Sequence, residues 1–365
     1  MSGWAESMGL IGAAGLAFAA PLAYLAHLHL RLAGGPCPAE HATLVTPDGA
    51  KLAIYRYRPA EPVPHREPIL LISGFGLNRW ALDFDARFSW ARRLADAGFD
   101  TWLLEVRGSG RSRRAGIHDG AFDDYLVDAR TALAHVLEQT GAAKAHWVGY
   151  SLGGMLLYAT LGTDLAERIR SGVALESPVS LHGYSLDKTS LAAMDVLERF
   201  PWLHTIPYRL PSRLAMDLLP LYYEKPLFKT WMNTENIDKA MLKAMVYRTL
   251  DDVPTPLVLQ FREWMREDGL RSRGGVVDYL DGLRTTPVPI LLMTGASDFA
   301  RRAKLVLERA RPANVHWIEC LKAQGFSADY GHADLIFGPR APEEVFPHAL
   351  DWLRRHDPAG SLAIT

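Results

Sequence analysis

The chain has 365 residues, 48% hydrophobic and 22% charged, an ordinary globular composition that excludes a disordered or fibrous protein. Its 40 Lys and Arg against 41 Asp and Glu leave a formal charge of -1, so there is no global basic field of the kind that gathers nucleic acid. Two cysteines, Cys37 and Cys320, cannot build a disulfide framework or a cysteine-rich zinc site.

Between Ser7 and Leu30 there is no Asp, Glu, Lys or Arg. As a helix this stretch would be about 36 Å long, against a hydrocarbon core of about 30 Å. It reads as a candidate membrane anchor. Its Gly and Ala content and Pro21 keep a second reading open, a helix lying on the membrane or packed on the protein. A cleaved signal peptide is disfavoured, because Glu6 and no Lys or Arg precedes the apolar run. Arg31, Lys51, Arg56 and Arg58 follow it, which by the positive-inside bias places the body on the cytoplasmic side. The expectation is a membrane-associated protein at the cytoplasmic face, with a soluble cytoplasmic protein as the alternative.

Gly34-Gly35-Pro36 separates this segment, residues 1–35, from the globular body. Ala42–Thr46 and Lys51–Tyr57 predict an opening hairpin across Pro47-Asp48-Gly49. Ile69–Ser73 is an apolar run suited to a strand covered on both faces, and it ends in Gly74-Phe75-Gly76. The spacing of Phe84, Phe88, Trp90, Ala91 and Leu94 predicts a helix stopping near Gly98, followed by a strand at Thr101–Glu105. The next loop, Arg107–Ser112, is glycine-rich but lacks the lysine of a P-loop and the spacing of a dinucleotide fingerprint. Phe122–Gln139 reads as a long amphipathic helix leading to a strand at Ala145–Val148. Alternating strands and helices at this spacing imply an α/β fold, a mostly parallel doubly wound sheet.

Gly149-Tyr150-Ser151-Leu152-Gly153 then places a serine between a strand and the apolar helix that begins the next segment. A side chain in such a turn is forced into an uncommon backbone conformation, and its neighbours two residues away must be small. The first amide of the helix, that of Leu152, is an unpaired donor above Ser151. After a further strand at Gly172–Glu176 the alternation stops. Residues 178–287 are helix-rich and dense in aromatics and prolines, too long for a loop, and predict a helical lid over an apolar pocket. The sheet resumes at Val288–Met293, ending in Thr294-Gly295-Ala296-Ser297-Asp298. Val315–Glu319 predicts a last strand, Tyr330-Gly331-His332-Ala333-Asp334 a loop, and Glu343–Arg355 a closing helix. The core is thus expected to comprise residues 36–177 and 288–365.

Ser151, Asp298 and His332 occur in the order serine, acid, histidine, each in a loop after a predicted strand. Parallel strands bring such loops to one edge. With these pieces in that order, the chain resembles the α/β-hydrolase superfamily over nearly all of residues 40–356. Pro287–Asp298 with a lid before it is close to the pattern of the lipase and esterase members. The resemblance implies Ser151 as nucleophile, His332 as general base and acid, Asp298 as its carboxylate, and the backbone amides of Phe75 and Leu152 as oxyanion donors. Ser73-Gly74 stands where many relatives have His-Gly. Glu105 stands where Asp is more frequent and reads as structural. Glu176 occupies a position that supplies the acid in some relatives and stays as an alternative. His316 and His348 read as structural, and Asp334 as a helix cap or surface charge.

The function expected is a serine hydrolase that cleaves carboxylic esters, small-molecule or lipid, through an acyl-enzyme. No metal or organic cofactor is expected, and no nucleic-acid partner. An acyltransferase using the same triad and a non-catalytic binding module on the same fold are the alternatives.

Overall fold

The computed structural model describes residues 23–24, 26–28, 39–116, 119–182, 188–218, 232–267, 269–297, 302–303 and 312–359. Most of the apolar stretch 7–30 lies outside the described residues, and so does Asp298. Among the described residues no helix is long and apolar enough to cross a membrane.

Eight strands form one sheet in the order β1-β2-β4-β3-β5-β6-β9-β10. They are β1 (Glu40–Val45), β2 (Lys51–Tyr57), β3 (Ile69–Ile72), β4 (Thr101–Glu105), β5 (Ala145–Tyr150), β6 (Ile169–Leu175), β9 (Ile290–Thr294) and β10 (Val315–Glu319). β1 and β2 form the predicted hairpin, with Gly49 at φ 93° in its turn, a conformation that suits a residue without a Cβ. β2 also runs antiparallel to β4, and all remaining pairs are parallel. The mostly parallel sheet expected from the alternating pattern is therefore present.

Strand alternation divides the core into two layers. Leu70, Ile72, Trp147, Ala174, Ile290 and Leu292 face one layer. It is completed by helices α2 (Phe122–Thr140) and α3 (Leu152–Leu161). Ile69, Leu71, Val148, Val173, Leu291 and Met293 face the other. That layer is closed by α1 (Trp90–Asp96) and α8 (Phe346–His356). Burying both faces of a parallel sheet explains why its strands are continuous apolar runs rather than alternating ones.

Between β6 and β9 the chain leaves the sheet. It builds α4 (Lys188–Leu197), α5 (Arg209–Leu218), α6 (Lys239–Thr249) and α7 (Thr255–Arg266), with a two-residue ribbon of β7 (Thr205–Ile206) and β8 (Val253–Pro254). α6 and α7 contribute Leu242, Val246, Leu257 and Val258 to the two core layers, so this segment is packed onto the body.

Two predicted helices differ in extent. The helix expected around Phe84–Leu94 starts only at Trp90, with Ser89 capping it through the amide of Arg92. Upstream, the carboxylate of the fully buried Asp83 accepts hydrogen bonds from Tyr57 Oη, Arg79 Nη1, Ser89 Oγ and Arg92 Nε, which folds the chain into a turn instead. Phe84 and Phe88 are buried, yet from that turn. The closing helix is interrupted at Val345, because Pro347 in the first turn of α8 has no N–H to continue the preceding short helix Ala341–Glu344.

Candidate active site

β3, β5, β6 and β9 all end on one edge of the sheet. In register, Ile72 lies opposite Gly149, Tyr150 opposite Leu175, and Leu175 opposite Met293. The residues that follow these pairs, Ser73–Gly76, Ser151, Glu176 and Gly295–Ser297, therefore emerge together.

Ser151 has φ 54° and ψ −113° between β5 and α3, a strained conformation for a residue with a side chain. Its N–H donates to Leu175 O at 2.8 Å, and its carbonyl accepts from Gly154 N at 3.0 Å, so strand and helix hold the turn from both sides. A Cβ on Gly153 would lie well inside the van der Waals contact distance of Ile72 O. That is why the five-residue motif needs glycine there. The β3 loop lies directly against the serine, since a Cβ on Gly74 would be 3.1 Å from Ser151 Cβ. Leu152 is the first residue of α3, and the Phe75 ring packs on Phe261 with centroids 5.1 Å apart.

His332 is 5% exposed and sits in the loop after β10. Its carbonyl accepts from Tyr150 Oη at 3.0 Å, and its ring lies 5.1 Å from the Tyr150 ring. Tyr150 directly precedes Ser151, so these contacts tie the loop of His332 to the strand end that leads into the serine turn. Burial raises the Tyr150 phenol well above its ordinary range, with the Glu176 and Asp334 carboxylates adding to the effect, so it stays a neutral donor to that carbonyl.

Glu176 follows β6 with φ 45° and is fully buried. One of its oxygens accepts from Gly295 N, the other from Ser297 Oγ at 2.8 Å. The second oxygen also lies 3.7 Å from His332 Nδ1. Asp298, the acid selected by sequence order, lies outside the described residues, but the turn leading to it is the one that Glu176 holds.

A model of the alpha/beta hydrolase fold matches residues 67–339. This chain belongs to that family. It is similar to the gastric triacylglycerol lipase of Rattus norvegicus, 26% identical over 60% of this chain and 55% of the lipase, so the chain matches about half the length of that relative. It is also similar to the lipase lipl-5 of Caenorhabditis elegans, 31% identical over 70% of this chain and 73% of that one. Among solved structures, a soluble variant of monoglyceride lipase from Saccharomyces cerevisiae shares the fold with a TM-score of 0.58 and 15% identity, covering 88% of this chain and 99% of its own.

Within this alpha/beta hydrolase, the helical segment between β6 and β9 touches both sides of the serine turn. On the β3 side, Leu77 and Leu250 form an antiparallel bridge. Asn78 N donates to Thr249 O at 3.0 Å and Asp251 N to Gly76 O at 2.8 Å. The Asp251 carboxylate accepts from Gly110 N at 2.6 Å, tying the loop after β4 to the same point. On the histidine side, Asp334 accepts from Asn233 N, Gly331 N and Asn236 Nδ2 at 2.8 to 2.9 Å. Burial pushes the Asp334 carboxyl up to about 6, opposed by those hydrogen bonds. Asp334 is thus a buried link between the segment joining β6 to β9 and the loop of His332, and not a surface charge. A cleft of about 270 Å³ opens here, lined by Met232, Asn233, Thr234, Ser297, Asp329 and Gly331 among others.

The remaining candidates make ring, hydrogen-bond and ion-pair contacts within the fold. His316 stacks on Trp352 with centroids 5.8 Å apart, and His348 packs on Phe326 at 5.5 Å. Glu105 accepts from Arg79 N, Arg111 N and Tyr55 Oη, so it organises two loops. In the glycine-rich loop, the buried Arg107 side chain is paired with Asp48 and Asp128. Sequence reasoning missed the bridge from Leu250 to the β3 loop, because pairing between distant irregular segments leaves no periodic signal. Glu176 did leave one, a charged residue directly after the apolar run of β6.

Proposed function

We propose that this protein is a serine hydrolase acting on carboxylic esters. The observation that carries the reading is Ser151 at positive φ at the head of α3, with His332 packed on Tyr150, the residue before it. Ser151 Oγ forms a bond to the ester carbonyl carbon while its proton passes to the His332 imidazole. The tetrahedral oxyanion is met by the amides of Leu152 and Phe75. Its collapse breaks the bond to the alcohol oxygen, which leaves with the proton carried by His332. Water then adds to the acyl-enzyme, giving its proton to His332, and the acid departs as Ser151 regains its own. Asp298 keeps its sequence-derived place as a carboxylate of the imidazole in this proposal.

An apolar acyl group is favoured by the aromatic character of the lid, which exposes Phe200, Trp202, Tyr208 and Leu210. The relatives named as lipases agree with that class. The test is labelling by a fluorophosphonate, which phosphonylates an activated serine. Wild type is expected to be labelled and Ser151→Ala not. A well-folded wild-type protein that resists the probe would remove the hydrolase reading.

The proposal also keeps residues 7–30 as a membrane-associating segment, on their length and lack of charge. The full chain is expected to float with phospholipid vesicles in a density gradient, and a chain lacking residues 1–35 to remain at the bottom. Equal flotation of the two would reject that role.

A further inference from the structure

We infer that Asp251 is a positioning residue for the β3 loop, setting the aim of the Phe75 amide from the segment between β6 and β9. This inference rests on the serine hydrolase reading of the same site.

The aim of an amide is that of its peptide unit. Phe75 N–H and Gly74 C=O belong to one planar trans unit, so whatever holds that carbonyl also directs the N–H the opposite way. Gly74 O accepts from Leu77 N at 3.3 Å. Leu77 is fixed in turn, because its carbonyl accepts from Ser73 Oγ at 3.2 Å and its backbone bridges to Leu250. On either side of it, Asn78 N donates to Thr249 O and Gly76 O accepts from Asp251 N. Gly76 leaves little slack: it has φ 62°, and a Cβ there would be 2.9 Å from Val253 Cγ2. The orientation of the Phe75 amide is therefore set by where residues 249–253 lie.

The Asp251 side chain fastens those residues to the sheet. It is 8% exposed, and its Oδ2 accepts from Gly110 N at 2.6 Å, a short bond of the kind an ionised acceptor makes. Its Oδ1 lies 3.7 Å from Arg209 Nη1, at the start of α5. Burial raises the Asp251 carboxyl above its ordinary value, while the Gly110 amide, Arg209 and Asn78 oppose that shift. Those partners compensate the carboxylate for the water it has lost.

Gly110 is a firm anchor for that bond. It has φ 54°, and a Cβ there would overlap the Glu105 carboxylate, so the loop after β4 is packed directly on this buried group. Glu105 accepts from Arg111 N at 2.8 Å and from Arg79 N at 3.0 Å. The two carboxylates thus take successive amides of one loop, and Glu105 also holds the far end of the β3 loop. Removing the Asp251 carboxylate leaves residues 249–253 without their tie to this frame, and the β3 loop moves with them.

The test compares full-length variants. Asp251→Ala removes the acceptor for Gly110 N. It is expected to lower kcat for p-nitrophenyl butyrate about 30-fold with KM changed less than about threefold, because an oxyanion donor acts in the transition state and not on the bound ester. The Ki of an alkyl trifluoromethyl ketone, whose serine adduct carries the same oxyanion, should rise by the factor by which kcat/KM falls. Asp251→Asn keeps an oxygen acceptor without the charge and should fall between, about 3- to 10-fold down in kcat. Asp252→Ala removes the side chain that accepts from Arg209 N and serves as the control, with kcat within about twofold of wild type. Amide hydrogen exchange, read by mass spectrometry on peptides spanning 73–79, reports the same coupling with no ester present. It should be at least about tenfold faster in Asp251→Ala and unchanged in Asp252→Ala.

Wild-type kcat together with wild-type exchange over 73–79 in Asp251→Ala would overturn the inference. So would a fall in kcat matched by Asp252→Ala, or a loss carried by KM with the ketone Ki unmoved, since a general loosening of the segment gives those results. If Asp251→Ala does not fold, Asp251→Asn carries the test, and wild-type kcat and exchange in that variant overturn it. Failure of the hydrolase reading appears separately, as absent turnover and absent fluorophosphonate labelling, while the exchange comparison still decides whether Asp251 holds the loop.

Discussion

His332→Ala is expected to lower kcat for a p-nitrophenyl ester by about 10⁵-fold, equivalent to about 7 kcal/mol of transition-state stabilisation. The loss is this large because in the proposed mechanism the imidazole acts twice, accepting the Ser151 proton and then delivering it to the leaving alcohol. The Ser151→Ala, His332→Ala double variant should be hardly worse than either single one, since the two groups act as a unit. His332 is buried and its carbonyl, rather than its ring, receives the Tyr150 hydroxyl, so that anchor survives the substitution. The melting temperature should therefore move little. Steady-state kinetics beside a thermal melt check both statements, and turnover within tenfold of wild type would take His332 out of the mechanism.

Gly153→Ala should act on the fold itself. The added methyl group would overlap the carbonyl of Ile72, a backbone atom of a central strand that cannot swing aside. Relief requires α3 to move off β3, and with it the serine turn. We expect a loss of at least about 3 kcal/mol in urea unfolding, at the severe end of overpacking. Gly162→Ala is the matched control at the other end of α3. It has negative φ, and its nearest contact would be 3.6 Å away, so its cost should stay below about 1 kcal/mol. Equal stability of the two variants would mean that strand and helix are not in the tight contact described.

The sheet was legible in the sequence because its central strands are buried on both faces. Runs such as Ile69–Ile72 and Ile290–Thr294 have no amphipathic competitor to be confused with. The serine turn was legible for a related reason, since its glycines answer a local steric demand. What escaped is set by long-range polar contacts. Asp83 gathers four donors into a turn where the apolar spacing of Phe84 and Phe88 suggests helix. At the site, sequence order selects Asp298, which lies outside the described residues, while Glu176 is the buried carboxylate 3.7 Å from the imidazole. Both follow strands that end on the same edge, so chain order alone cannot rank them. Distance to Nδ1 is a property of the folded edge.

The antiparallel bridge between Leu77 and Leu250 carries a further consequence. The β3 loop that flanks Ser151 is stitched through its backbone to residues 249–251 of the segment between β6 and β9. Backbone stitching is indifferent to side-chain identity, so this joint tolerates sequence drift on either side while fixing the relative placement of the two segments. That segment is accordingly not an interchangeable module: a recombinant that exchanged residues 178–287 for another hydrolase's insertion is expected to import a new shape for the β3 loop together with the new segment. Crossovers that retain Arg248–Asp251 with the parent sheet would separate the two inheritances.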